Sequence, residues 1–384
     1  MAVTAPVQAP AAPKRRRLDH IDAMRPLKQA GVLASHIVTY FAPAGLGASG
    51  VLLLTHFSRE GFFFVSACML TYAYRGMGRS DLPRFYRRRF VSVGVPYLCW
   101  SALYFGLWLA RGGADDGAGA IAATAASYTF TGWYHLYYLL IIMQFYVVYP
   151  LLLAALRRTE RWHGRIVLGS LALQFVLMEI THLSLLPDAM LGTGATRNIL
   201  FYQFYLLSGA IAAFHLDRVH AWLCGHVPLV LAGTVGAAVV AELLMVAAEH
   251  DVLNSIASGS DPFQPAVVPF NAGIIASLYL LGVWLVSGRR SARLRAIVRS
   301  AADNSYGVYL SHMLFVTALS LLGWQVLGDV VPWPVLCAGT LILVYLAGCG
   351  LTAILARTPL AVPLTGGRRR TWRSLRPARQ EGSA

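Results

Sequence analysis

The fold class predicted by the sequence is all-α, a polytopic membrane helix bundle with about ten transmembrane helices, and three observations predict it. The composition is 57% hydrophobic and only 13% charged, with a mean hydropathy of +0.57, too apolar for a soluble domain and too helix-like for an outer-membrane barrel. Apolar runs of roughly twenty residues, the length that crosses about 30 Å of hydrocarbon, recur along the chain. The basic residues gather in alternate connections, as the bias of Lys and Arg toward cytoplasmic loops requires.

In chain order, the spans are expected near 24–43, 49–74, 90–110, 133–156, 164–183, 197–215, 227–248, 267–287, 305–327 and 333–356. The first is interrupted by Lys28 and His36 and is long enough to anchor, so it is read as a retained helix rather than a cleaved signal. The second carries His56, Arg59 and Glu60, and the remaining eight are more uniformly apolar. With the N-terminus inside, 27 of the 32 Lys and Arg residues fall on the cytoplasmic side, outside loops hold only Arg111 and Arg197, and Arg25, Lys28 and Arg59 lie within helices. Both termini are therefore expected to be cytoplasmic in a multi-pass protein of the cell membrane.

Three regions follow from this map. Residues 1–20, rich in Ala and Pro, read as a disordered cytoplasmic segment, 21–362 as the membrane domain and 363–384 as a basic cytoplasmic tail. The net charge of +15 suits anionic membrane lipids rather than nucleic acid, because the excess sits at one face. The five cysteines have no Cys-x-x-Cys spacing, so neither a disulfide framework nor a metal site is expected. Walker and dinucleotide fingerprints are absent. Connections are short apart from 111–132 and 249–266, which leaves chemistry to the interior of the bundle.

Ionisable residues inside a membrane are costly and usually face a protein interior or a water-filled path. Arg25 and His36 are eleven residues apart, almost three whole turns, so they fall about 20° apart on one helical stripe, with His36 about 16 Å deeper. His56 and Glu60, about 10 and 16 Å below the opposite surface, reach a similar depth. Since His56, Arg59 and Glu60 occupy i, i+3 and i+4, Glu60 could hold His36 or His56 in one tautomer and strengthen it as a general base. An internal ion pair of Arg59 with Glu60, Glu179 or Glu242 would instead only fix packing.

Several local patterns resemble one family in its own order. Arg25-x10-His36 resembles the N-terminal signature of the acyltransferase-3 family of integral membrane acyltransferases, which have ten core helices. Phe62-Phe63-Phe64-Val65-Ser66-Ala67 is similar to its FFxxSG element, with Ala in place of Gly. Arg87-Arg88-Arg89-Phe90 followed by Pro96-Tyr97 is similar to its RRxxRIxxPY region with the arginines displaced. Trp133-Tyr134-His135-Leu136-Tyr137-Tyr138 resembles an HLWF-like helix start, and Ser305 through His312 closely resembles SYGIYLxH.

The resemblance, over roughly 20–360, implies transfer of an acyl group, commonly acetyl, from acyl-CoA as donor substrate to a hydroxyl of a glycan, lipid-linked or secondary-metabolite acceptor in the cell envelope, with no tightly bound cofactor. On this reading Arg87, Arg88 and Arg89 bind CoA phosphates at the cytosolic mouth together with the Arg289 to Arg299 group, Arg25 stands at the entrance, and His36 deprotonates the acceptor with support from Glu60. Arg59, His56, Ser66 and His312 are further substrate-binding candidates. A Ser-linked acyl-enzyme through Ser35, Ser66 or Ser311 is the less favoured route, because spacing gives none of them a base, and Ser66 also suits a small helix contact. His135, His163, His182, His215, His220, His226 and His250 fall at loops or interfaces and are not assigned roles. The rival class is a proton-coupled secondary transporter using the same His, Arg and Glu as a relay, although the paired, interrupted halves expected of one are not seen. A non-catalytic scaffold would not need ionisable groups at matching depths.

Overall fold

The computed structural model describes residues 17–133, 135–185, 197–250, 260–288, 290–367 and 369. Among the described residues fourteen α-helices, several short 3-10 turns and one π-helical turn, Tyr128–Gly132, make up the regular structure, and no strand occurs. The N-terminal segment before Arg17 and the tail beyond Arg369 lie outside them.

The helices are α1 Asp19–Phe41, α2 Leu46–Thr55, α3 Phe57–Tyr74, α4 Leu82–Ala110, α5 Ala118–Ser127, α6 Tyr137–Arg158 and α7 His163–His182. They continue with α8 Gln203–Ala212, α9 Leu216–Gly225, α10 Val227–Glu249, α11 Val267–Val286, α12 Ala292–Leu321, α13 Trp333–Leu355 and α14 Ala361–Thr365. Local chemistry sets several ends. Prolines in the first turns of α4, α10 and α13 occupy positions whose N–H has no helical partner. Ser291 caps α12 by accepting from Leu294 N at 3.1 Å, and Gly323, at φ +74°, supplies the left-handed residue after its far end.

Among the described residues, six helices are long and apolar enough to cross a membrane on those grounds alone: α4 with the turn before it, α6, α7 with its preceding turn, α10, α11 and α13. A bent pair, Ile199–Ala212 with Leu216–Gly225 at 101°, makes a seventh candidate span. All ten expected positions are helical, but α1, α3 and α12 carry charged residues, and the expected second span is broken at His56 into α2 and α3. Length and apolarity therefore support a polytopic bundle without fixing the count at ten.

These polar helices form its centre. α1 packs against α2, α3, α11, α12 and α13, burying Met24, Leu33 and Ile37 completely. On α10, by contrast, Leu229, Val235, Val239 and Leu243 are exposed, as expected of side chains that meet lipid. Close helix crossings depend on absent side chains. A Cβ on Gly209 of α8 would strike the carbonyl oxygen of Phe64 on α3, and one on Gly282 of α11 would strike that of His20 on α1. Backbone cannot yield to such contact as a flexible side chain can. The C-terminal segment is part of the fold: Trp100 Nε1 of α4 donates to Leu364 O at 3.0 Å, and α14 packs on α4.

Gly209→Leu is expected to separate α8 from α3 and to destabilise the bundle by about 1–3 kcal/mol, the usual cost of overpacking, read as a lower midpoint of thermal unfolding in detergent. Gly233→Ala, on α10 with no atom within 4 Å of the added Cβ, should leave that midpoint unchanged or slightly raised.

Candidate functional site

Helical periodicity turns side chains from five helices into one cavity of about 510 Å3, within the roughly 300–1,000 Å3 usual for ligand pockets. α1 contributes Arg25 and Lys28, one turn apart; α3 contributes Phe62 and Ser66; α4 contributes Arg89; α6 contributes Tyr138 and Tyr146; and α12 contributes Asp303, Tyr306 and Tyr309. Gly366, just past α14, completes the wall. Its φ of +63° suits glycine, and an added Cβ would lie 2.5 Å from the Tyr306 ring and 2.6 Å from Ser92 O, so the chain end seats directly on the cavity.

Cations are graded along this cavity. At the mouth, Arg25 pairs with Asp22 at 3.4 Å, while Arg17 reaches both Asp22 and Asp303 at 2.8 Å. Burial opposes the charge of Arg17, but its hydrogen bonds to Asp303 and Asp22 outweigh that and raise its pKa. The Arg89 guanidinium lies over the rings of Tyr74 and Tyr146, at 4.8 and 5.9 Å from their centroids. Arg87 and Arg88, its neighbours in sequence, are exposed and do not line the cavity: successive helical residues point about 100° apart, and only one of the three turns inward. Lys28 is the deepest cation. It is 1% exposed, donates to Gly61 O at 3.2 Å and lies 4.1 Å from the centroid of the Phe62 ring, with no carboxylate within ion-pairing distance among the described residues. A buried lysine amine served only by a carbonyl and a ring is short of partners, and an anionic ligand would complete it as an ammonium.

Behind the inner wall stand three histidines. The Tyr309 hydroxyl donates to the backbone carbonyl of His135, and the Tyr309 and His135 ring centroids are 5.2 Å apart. His135 lies 4.6 Å from His312 and 6.4 Å from His36, and His36 lies 5.2 Å from His312, again between centroids. His312 Nδ1 is 2.6 Å from Tyr309 O. A carbonyl only accepts, so Nδ1 carries the hydrogen and Nε2 of the neutral ring has the lone pair. That Nε2 is buried with no hydrogen-bond partner among the described residues. No group of three or more His, Cys, Asp or Glu among those residues has the arrangement to hold a metal ion.

The predicted residues thus separate into groups. Arg25, Ser66 and Arg89 share the cavity, with the Ser66 hydroxyl 2.8 Å from that of Tyr138. His36 and His312 meet in the histidine cluster beyond Tyr309, and His36 is not among the cavity-lining residues. Arg59 pairs with Glu60 at 2.6 Å, one of the pairings left open by the sequence, and its guanidinium lies 5.0 and 4.5 Å from the Tyr202 and Phe263 ring centroids. Glu60 retains a second oxygen, Oε2, buried without a hydrogen-bond partner among the described residues. His56, at the break between α2 and α3, bonds to the backbone of Ser260. Glu242 instead lies against Gly50 of α2.

Two residues were missed. Lys28 was noticed as a charge within a span but was not assigned to the site, although its i, i+3 relation to Arg25 was a usable signal. His135 is grouped with loop histidines in the sequence reading, although it is itself the His of the HLWF-like pattern.

An acyltransferase domain family model matches residues 19–349 of the chain. No curated protein and no solved structure matches it.

If Lys28 serves an anion rather than packing, Lys28→Met, which keeps the stem and removes the charge, should leave the thermal unfolding midpoint unchanged or raised. If that anion is coenzyme A, its binding to the purified protein, measured by calorimetric titration, should weaken about tenfold, the loss of one charge-assisted hydrogen bond. Equal affinity for the two proteins would assign Lys28 to packing.

Proposed function

Because the chain belongs to the acyltransferase-3 family, we propose that this multi-pass membrane acyltransferase moves an acyl group, acetyl in the first instance, from cytosolic acyl-CoA to a hydroxyl of a glycan, lipid-linked or secondary-metabolite acceptor. The carrying observation is the order of groups along one path: Arg25 and Arg89, then Lys28, then Tyr309, with the His36, His135 and His312 cluster behind it. Arginines match phosphate geometry and hold it by paired hydrogen bonds, which suits the nucleotide end of acyl-CoA. The pantetheine arm then extends inward past Ser66 and Tyr138 toward Tyr309.

In the proposed reaction, His36 takes the proton of the acceptor hydroxyl as its oxygen attacks the thioester carbonyl carbon. The C–S bond breaks, an ester forms, and the departing CoA thiolate recovers the proton. His312, with its tautomer held by Tyr309 O, presents a lone pair beside His36 and serves as a positioning residue. Direct transfer is favoured over a Ser66 acyl-enzyme because the Ser66 hydroxyl meets a tyrosine, not a histidine. Membership of an acyltransferase family likewise favours transfer over a proton-coupled secondary transporter.

The arginine map leads us to place the cavity mouth and both termini on the cytoplasmic side. A cysteine replacing exposed Arg88 should then react with a membrane-impermeant maleimide in inside-out vesicles and not in right-side-out ones.

For catalysis, purified protein would be incubated with labelled acetyl-CoA and cell-envelope extract, following label into acceptor. His36→Ala should lower kcat by about 100- to 10,000-fold, the usual share of a general base. Arg25→Ala should act mainly on the KM for acetyl-CoA, by about tenfold, because it positions the donor. Normal kinetics in both variants would overturn these roles. Substrate-dependent proton flux without acceptor labelling would support the transporter instead.

A further inference from the structure

The bundle holds a further cavity that the proposed reaction does not use, of about 470 Å3, at the bend between α8 and α9. Six helices line it. α1 gives Ile21 and Met24 from its first two turns, α7 gives Val167, α8 gives Ile211, and α11 gives Ile275 and Ala276. α3 stands between this cavity and the first. Its Phe62 and Ser66 face the first, whereas Phe64 and Cys68, each two positions on and so about 200° round the helix, face this one.

The lining offers almost nothing to water. Of its two hydroxyls, that of Tyr279 meets His220 Nδ1 at 3.0 Å and that of Ser208 donates to Tyr205 O at 3.3 Å. Water inside would lack the polar partners that hold a buried molecule, and a void of this size left empty would forfeit packing contacts on every side. A hydrocarbon chain meets both conditions. α9 sets the mouth as a helix at a membrane surface would: it turns 101° from α8, and its apolar stripe of Leu216, Val219, Trp222 and Leu223 faces the cavity. Arg218 is exposed and borders that stripe beside Trp222, itself 50% exposed. No carboxylate lies within ion-pairing distance of Arg218 among the described residues. A tryptophan beside an unpaired arginine at the edge of an apolar cavity suits the level where an anionic headgroup meets its chain.

We infer that this cavity takes one acyl chain of an anionic phospholipid from the surrounding leaflet, with the lipid phosphate on the Arg218 guanidinium and Trp222 at headgroup depth. The inference stands apart from the acyl-transfer reading: the lipid is a resident ligand of the bundle, neither donor nor acceptor.

Photo-crosslinking of the full-length protein in phosphatidylcholine nanodiscs would test it. A trace of phosphatidylglycerol carrying a diazirine near the end of one acyl chain is irradiated, and the labelled positions are mapped by peptide mass spectrometry. Label is expected on the inner walls, at Ile211 and Ile275, and unlabelled phosphatidylglycerol should displace it. Phosphatidylcholine carrying the same diazirine should label those positions about fivefold less, the worth of one basic residue beside anionic lipid, and Arg218→Gln should remove that preference. Ala276→Phe and Val167→Phe fill the cavity from different walls. Each should remove the label from Ile211 and leave the thermal unfolding midpoint unchanged or raised, because the new ring enters a void rather than a packed core. A variant whose midpoint falls is set aside and the other decides, with Arg218→Gln deciding if both fall. The inference is overturned if wild-type label appears only on outward residues of α10 such as Val235 and Leu243. Equal labelling of the walls by the two lipids would overturn it, as would label at Ile211 that survives a filling variant with an intact midpoint.

Discussion

A single helix bearing Asp22, Arg25, Lys28 and His36 cannot show them to lipid, and that exclusion governs the bundle. Hydrocarbon offers no hydrogen bonds to an ionised or strongly polar group, so α1 needs protein around it. It obtains this from α2, α3, α11, α12 and α13. Among the helices that stand on their own hydrophobicity, α7 and α10 are much less buried by comparison, and α10 leaves many of its large side chains facing out. The site thus follows from the same constraint as the fold: one shell of helices tolerates lipid, and the helices it shields can carry the chemistry.

Within that shielded centre, each charged group has a different kind of partner. Arg25 and Arg17 belong to a carboxylate network at the mouth, where solvent screens their interactions. Arg59 has both a carboxylate and two aromatic faces. Lys28 has a single backbone carbonyl and one ring. Such unequal provision is informative, since a packing cation is normally fully paired. Rigidity also varies: Gly366 seats the chain end on Tyr306 and Ser92, and Trp100 ties that segment to α4, so one wall of the first cavity is supplied by residues remote in sequence from all the others.

Much of this was legible before any coordinates. Periodicity puts Arg25 and His36 on one stripe, yet only Arg25 lines the cavity while His36 stands in the histidine cluster, and the Ser305 to His312 stretch is the part of α12 that runs along the cavity into that cluster. The Arg87 to Arg89 run was read as a unit, whereas helical geometry admits only Arg89 to the cavity. His135 was illegible for a different reason. It follows a π-helical turn, Tyr128–Gly132, and a residue outside a regular helix has no face to be read from spacing; its place is fixed by Tyr104 and Tyr309, distant in sequence. The break at His56 was likewise hidden, because an apolar run reads the same whether or not the helix is continuous. The helix count depends on charges whose shielding only tertiary packing reveals.

The polarity of α1 bears on how the protein is made. α1 precedes the other described helices, yet neither it nor α3 is apolar enough to be among the helices that qualify as spans alone. Insertion of each segment is judged by its hydrophobicity as it emerges, and of the partners that shield α1 only α2 and α3 follow it directly, whereas α11, α12 and α13 come about 200 residues or more later in the chain. Shielding of α1 is therefore complete only once α13 is present, so the polar helix couples segments that are distant in the chain.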